Sequence, residues 1–363
     1  MDKDKVSALQ MGIVMFLVLI GTSLLLMPSI TTRLAGNDMW MTPLLAMFAG
    51  YFIVWITFRL HAMFPGLRFT TYLGRIIGSV PGKIAGLLFM VFHLHITAAT
   101  VRDYVEFMST SFFEKTPMAV LIVTMVFVCG LAVRGGLETI ARCAQLFIPA
   151  ILLLLALDLF LLLPDLEFQY LLPFMEKGAW PVAQGTLIVD GWFCQFMLVA
   201  FLYPAIREQD RKIALRTGHW TVAAVAAIML VVNLFILMVL NGIAAKTNYP
   251  VLFATRLIRV ADFIEHVESI ILIIWVLGAF IKISLYYYVA AVGIADCLGL
   301  RHYRTIVYPV GLLVCAMTVW VAPNLQALSG FISTTGTFYI LTGYIAFPAL
   351  LLAIALLRRK SRA

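Results

Sequence analysis

Two ionisable residues interrupt long apolar runs of this sequence: Asp190 in Leu187-Ile188-Val189-Asp190-Gly191-Trp192-Phe193, and Lys282 in Gly278-Ala279-Phe280-Ile281-Lys282-Ile283-Ser284. If those runs cross a bilayer, each charge near its centre costs roughly 2.5–3.5 kcal/mol and is kept for a function or a partner. Asp190, with Gly191, would complete a ligand pocket or cap the second half of a broken helix. Lys282 would stand in an ion pathway or gate, or else snorkel towards the nearer membrane face. A third candidate is Gly21-Thr22-Ser23. Glycine there permits a helix to unwind, and amides freed at the positive end of a half-helix suit a ligand carboxylate. Equally, Gly, Ser and Thr are the residues of close helix packing in membranes.

Arg102 and Glu106 are spaced i, i+4 and so share a helix face; they read as a structural ion pair or as part of an outer vestibule or gate. His93 and His95 are spaced i, i+2, point to different faces and cannot form a helical metal pair. Neutral, hydrogen-bonded imidazoles are expected, with a proton relay as the alternative. Between Thr255 and Ser269 the chain carries Arg256, Arg259, Asp262, Glu265, His266 and Glu268. This is the pattern of a solvated outer helix, and Arg259, Glu265 and Glu268 would also suit contact with a partner subunit.

Other chemistries find no support. There is no G-x-x-x-x-G-K-[ST] loop, H-E-x-x-H, G-x-S-x-G or histidine–cysteine cluster, so no catalytic residue, metal or cofactor is expected. Cys129, Cys143, Cys194, Cys297 and Cys315 lie in or beside apolar runs without a C-x-x-C pair, which predicts free thiols.

The elements that hold these residues are apolar runs of membrane-spanning length. The chain is 63% hydrophobic and 12% charged, against about 45–50% and about 25% in soluble domains. A bilayer explains that excess, because a crossing helix needs about 20 mostly apolar residues. Ten spans are predicted, at roughly 9–32, 41–60, 82–108, 117–133, 143–163, 182–205, 217–242, 268–292, 305–322 and 332–357. The first is marked by Gly21-Thr22-Ser23 and the sixth by Asp190-Gly191. The segments between them are too short to bury a core of their own, so residues 1–363 form one integral membrane domain. The first span lacks a small-residue cleavage site and is not expected to be a signal peptide.

Basic residues set the orientation. With a cytoplasmic N-terminus, the outer segments hold only Arg33, Arg102, Lys115, Lys177, Lys246, Arg256 and Arg259, and nearly all the other Lys and Arg fall inside. Both termini are therefore expected in the cytoplasm. The net charge of +8 follows from this topology and calls for no nucleic acid. Anionic lipid is the natural partner of the Arg358-Arg359-Lys360 tail. Interrupted first and sixth spans, each first in a half of five, point to a 5+5 inverted repeat with a midplane binding site. The fold class is thus all-α polytopic, LeuT-like, with discontinuous helices 1 and 6. A Lys282 ammonium between spans one and eight would occupy the place that a coupling Na⁺ takes elsewhere in such folds.

The residues also resemble a known family. Val6-Ser7-Ala8-Leu9-Gln10 followed by Gly21-Thr22-Ser23-Leu24-Leu25-Leu26-Met27-Pro28 is similar to the opening of the spore germination permeases, the B subunits of GerA-type nutrient germinant receptors. Phe112-Phe113-Glu114-Lys115-Thr116-Pro117, Leu172-Pro173-Phe174-Met175-Glu176-Lys177-Gly178 and Phe263-Ile264-Glu265-His266-Val267-Glu268-Ser269, then Trp275 and Lys282, follow in family order. The resemblance covers essentially the whole chain. It implies a ten-helix member of the amino acid–polyamine–organocation superfamily in the spore inner membrane. Such a chain senses a small nutrient such as L-alanine and works with an A subunit and a lipoprotein C subunit. Carried over, Gly21, Thr22 and Ser23 would face the ligand carboxylate, with Asp190 and Gly191 completing the pocket. Thr22-Ser23 narrows a site that often reads as small glycines in the family, and His266 stands where an arginine is common. Three functions compete: a receptor subunit shifted between states by its ligand, a free-standing amino acid transporter, and a ligand-gated ion or water conduit.

Overall fold

The computed structural model describes residues 5–258 and 267–360. Arg259 and Glu265, two of the expected subunit contacts, lie outside the described residues, as does His266; Glu268 immediately precedes a spanning helix. The described chain is helical, with one isolated parallel bridge between Val6 and Ile206.

In chain order the helices are α1 (Ala8–Ala35), α2 (Thr42–Met63), α3 (Phe69–Ile77), α4 (Ser79–Ser111), α5 (Met118–Gly135), α6 (Leu137–Leu161), α7 (Ala179–Phe193) and α8 (Val199–Leu202). After these come α9 (Arg211–Leu240), α10 (Pro250–Leu257), α11 (Ser269–Leu298), α12 (Val307–Trp320), α13 (Leu325–Ile332), α14 (Thr335–Leu341) and α15 (Phe347–Lys360). Residues Ala8–Met63 form one apolar stretch of 56 residues. As a single straight helix it would run about 84 Å, far beyond a bilayer core of about 30 Å. It is instead divided by a 3-10 segment at Gly36–Met41, which Gly36 opens with φ +58°. α1 and α2 are therefore separate spans. Among the described residues the others are α4, α5, α6, α7 with α8, α9, α11, α12 with the sharply bent α13, and α14 with α15.

α1 contacts α7, α2 contacts α9, α4 contacts α11 and α5 contacts α12. These are the partners that a 5+5 repeat relates, and helices near a two-fold axis must touch their equivalents. α1 lies at the centre. It is apolar on all sides and buried along most of its length between α6, α7, α9 and α11, as an all-round apolar helix requires. Its start is fixed by a capping box: Gln10 N–H donates to Ser7 Oγ at 3.1 Å and Ser7 N–H to Gln10 Oε1 at 2.8 Å. The Gln10 amide then donates to Gln145 Oε1 of α6 at 2.9 Å. Just before the cap, Val6 N–H donates to Ala205 O and Arg207 N–H to Val6 O, both at 3.0 Å, tying the chain entry to the end of the sixth span.

The two expected helix breaks fare differently. α1 runs unbroken through Gly21-Thr22-Ser23, so the interruption expected there is absent. The reason is packing. A Cβ added at Gly21 would lie 2.7 Å from the Gly278 carbonyl carbon of α11, and one added at Gly278 would lie 2.5 Å from Gly21 Cα. The two backbones meet where glycine alone fits, and close approach rather than unwinding is what Gly21 supplies. The sixth span is interrupted, but at the 3-10 segment Cys194–Leu198 between α7 and α8 rather than at Asp190-Gly191. Gln195 Nε2 and Cys194 Sγ both turn back to the Gly191 carbonyl, at 3.2 and 3.3 Å, and stabilise the change of winding one turn after the expected point.

An alanine at Gly21 must displace backbone, whereas nothing lies within 4 Å of a Cβ added at Gly191. Gly21→Ala is expected to lower the stability of the detergent-solubilised protein by about 1–3 kcal/mol, the usual cost of overpacking. Gly191→Ala should leave it nearly unchanged. Paired thermal melts check the contrast.

Candidate functional site

A cavity opens where α1, α4, α7, α11 and the α13–α14 hairpin meet. On α4 its wall is formed by Ile96, Ala99, Thr100 and Asp103, whose spacing places them on one helical face. α1 contributes Thr22 and Leu26, and the sixth span contributes Gly191, Trp192 and Gln195. α11 contributes Lys282 and Tyr286, and the far side is closed by Phe331, Thr337 and Ile340. About 70 Å³ is open to the centre of a water molecule. At roughly 10–15 Å³ for each water, that accommodates a ligand of a few heavy atoms.

Lys282 is 4% exposed and reaches neither membrane face. Its Nζ donates to Thr22 Oγ1 at 2.5 Å and sits 5.5 Å from the centroid of the Tyr286 ring, within cation–π range. The ammonium thus bridges the first and eighth spans. Thr22 accepts one of its three N–H donors, and the others are available to the cavity.

Asp103 supplies the opposite charge. It is 5% exposed, and its Oδ1 is buried with no hydrogen-bond partner. Asp103 and Lys282 interact electrostatically but form no ion pair within 4 Å. Gln195 Oε1 and Tyr286 Oη, on two further lining residues, are also buried and unpartnered. Buried polar atoms are nearly always satisfied. Three unsatisfied ones around one cavity, two acceptors and a hydroxyl, describe a receptacle for a polar ligand.

Of the residues singled out in the sequence, Thr22, Gly191 and Lys282 line this cavity. Gly21 faces Gly278, and neither Gly21, Ser23 nor Asp190 is among the lining residues. Ser23 Oγ and Asp190 Oδ1 are each buried without a partner. Because α1 is continuous, its amides at positions 21–23 are spent within the helix and present no free donors. Arg102 and Glu106 form a buried pair, with Arg102 Nη2 2.6 Å from Glu106 Oε1. The same Arg102 nitrogen donates to Pro323 O at 3.1 Å, tying the C-terminal end of α4 to the bend between α12 and α13.

The histidines diverge, as their spacing requires. His95 is half-buried and meets Phe331 and Tyr339 edge-on. His93 is fully buried, with Nε2 3.0 Å from the Tyr286 carbonyl and Nδ1 2.7 Å from Tyr344 Oη. A carbonyl only accepts, so Nε2 carries the proton; in a neutral ring Nδ1 then accepts from the tyrosine hydroxyl. Tyr344 sits in a π-helical turn, Thr342–Ala346, between α14 and α15.

Two membrane-embedded carboxylates escaped the sequence reading. Asp158 accepts a hydrogen bond from Thr255 of α10 at 2.8 Å. Asp103 was hidden beside the Arg102–Glu106 pair. Those two satisfy each other one helical turn apart, and Asp103 projects elsewhere, in register with Ile96, Ala99 and Thr100. That register was the available signal.

A bundle of apolar spans whose crossing helices enclose a buried lysine and a carboxylate defines a polytopic membrane protein with a polar site at its centre. The fold is that of known carriers. It is similar to Mhp1, a nucleobase-cation-symport-1 family transporter, with a TM-score of 0.69 at 14% identity, covering 99% of this chain and 80% of that one. It is also similar to a Na⁺-coupled sialic acid symporter, with a TM-score of 0.66 at 12% identity, covering 94% and 79%. Residues 5–325 match the spore germination protein family, and the chain belongs to it. Among its relatives, spore germination protein KB of Bacillus subtilis is 24% identical, covering 100% of this chain and 97% of the relative. Spore germination protein A2 of the same organism is 24% identical over 94% and 93%, and spore germination protein XB of Bacillus anthracis is 24% identical over 74% and 76%.

The electrostatic link across the cavity is open to a double-mutant cycle. Lys282→Met leaves the Asp103 charge uncompensated and Asp103→Asn leaves the lysine so, and each is expected to destabilise. Together they should cost less than their sum, with a coupling of about 0.5–3 kcal/mol, read from unfolding midpoints in one detergent.

Proposed function

We propose that this chain is the membrane subunit of a spore germinant receptor and binds a small α-amino acid, such as L-alanine, in the central cavity. The observation that carries the reading is the presence of Lys282 and Asp103 in one small cavity with unpaired polar atoms on its wall. A zwitterion brings both complements at once. Its carboxylate would meet the Lys282 ammonium beside Thr22, and its ammonium would meet Asp103 and Gln195 Oε1. The few heavy atoms that fit restrict the side chain to a small one. Thr22 and Gly191 keep their ligand-facing role in this reading, while Gly21 supports the site through the contact with α11. Asp190 acts from behind the wall, next to Gly191.

The membrane is the spore inner membrane, with both termini in the cytoplasm, and the partners are an A subunit and a lipoprotein C subunit. Charge distribution and family membership support these assignments. Ligand binding would shift the chain between two packings and pass the change to its partners. Arg102 and Glu106 sit where such a change would register, since they join the third span to the bend in the ninth. A free-standing amino acid transporter is the second reading, favoured by the likeness to two carriers.

Radiolabelled L-alanine binding and counterflow with the purified chain in proteoliposomes separate the two. The receptor reading expects saturable binding without counterflow; robust counterflow would establish the transporter. Binding should not change when Na⁺ is replaced by choline, because the Lys282 ammonium already supplies the charge. Lys282→Met and Asp103→Asn should each weaken it roughly tenfold to a hundredfold, as expected for a lost charge-assisted hydrogen bond.

A further inference from the structure

A second set of basic residues, remote from the cavity, has no acidic partner among the described residues. Lys212, Arg216 and His219 lie at i, i+4 and i+7 on α9, and with Tyr51 of α2 and Trp220 they line a groove of about 360 Å³. Glycines bring the two helices together beside it. Added Cβ atoms would lie 2.8 Å from Phe193 and 2.9 Å from Val222 at Gly50, and 3.0 Å from Val54 at Gly218. The next residue after each glycine, Tyr51 and His219, forms the groove floor, with ring centroids 5.3 Å apart and planes at 74°. Lys212, Arg216 and Trp220 are exposed. Neither Lys212 nor Arg216 has an acidic partner among the described residues, and His219 Nε2 is buried without a hydrogen bond.

Depth identifies the occupant. α9 has 30 residues and is about 45 Å long, so about five residues at each end extend past a hydrocarbon core of about 30 Å. Lys212 stands at head-group level, Arg216 lies at the boundary where its long side chain reaches the same level, and His219 and Trp220 enter the hydrocarbon edge. A ligand must therefore place negative charge against the first two turns of α9 and an apolar body against the tryptophan. A water-soluble acidic peptide does not meet the second condition.

We infer that the α2–α9 groove is a binding site for an anionic phospholipid, whose head-group phosphate is held by Lys212, Arg216 and His219 and whose acyl chain runs along Trp220. In the orientation set by the basic residues the groove opens to the inner leaflet, where anionic lipids attract such cations. The inference does not depend on what the central cavity binds.

The test is native mass spectrometry of the full chain released from nanodiscs of equimolar phosphatidylglycerol and phosphatidylcholine. The wild type should retain phosphatidylglycerol over phosphatidylcholine by about tenfold, from the two surface cations. Lys212→Gln/Arg216→Gln/His219→Gln should abolish the preference. Arg358→Gln/Arg359→Gln/Lys360→Gln, which alters the other basic cluster, should preserve it. If the triple variant fails to fold, Lys212→Gln/Arg216→Gln changes only exposed side chains and should reduce the preference at least severalfold. The inference is overturned if the wild type shows no preference, if the groove variants keep it, or if inorganic phosphate displaces the lipid completely, which would make the ligand a free anion.

Discussion

Gly21 and Gly278 set the distance on which the interior depends. Where they cross, the backbones of α1 and α11 touch without an intervening side chain. Thr22 follows Gly21 directly, and Lys282 lies one turn beyond Gly278 on the same face of α11. The crossing therefore brings the lysine to the threonine, and the 2.5 Å bond between them is a consequence of helix packing. A wider separation would leave a buried ammonium with no oxygen to meet, a severe penalty in a low-dielectric interior. The same contact keeps α1 helical through Thr22-Ser23 and so leaves none of its backbone amides facing the cavity, whose polar groups come from side chains of four different spans.

A second fixed point supports the wall opposite α1. His93 links three spans at one ring, donating to the Tyr286 carbonyl of α11 and accepting from Tyr344 between α14 and α15. Tyr286 is also the ring beneath the Lys282 ammonium, so the imidazole on α4 helps to hold the aromatic face that the cation needs. The π-helical turn containing Tyr344 inserts an extra residue into the last span at this point, a device frequent at functional sites. The aromatic shell formed by Phe89, Phe92, Tyr339 and Tyr344 packs around it.

How much of this could be read from the sequence depended on whether a signal was local. Apolar runs gave the helices because each span satisfies its own backbone, and Lys282 stood out because nothing nearby could pair with it. Gly21 was conspicuous, but its sequence context left unwinding and close packing equally open. Glycine serves both unwinding and close approach, and only the distant Gly278 decides between them. The sixth-span irregularity falls one turn later, where Gln195 and Cys194 donate to the Gly191 carbonyl. Asp103 was obscured by an adjacent ion pair that looked sufficient to explain the charge at the end of α4. Tertiary register, which no neighbouring residue encodes, separates the pair from the lone carboxylate.

The two main-chain bonds between Val6 and the end of the sixth span have a mechanical meaning. At about 0.5–1.5 kcal/mol each, they act as a small latch that must open before the α8 end can swing away from the base of α1. Because the bonds are made by backbone atoms, side-chain replacement at Val6 leaves the latch in place. Only a change that removes an N–H or redirects the strand-like entry releases it. The first described residues thus tie the base of α1 to the sixth span through the main chain alone.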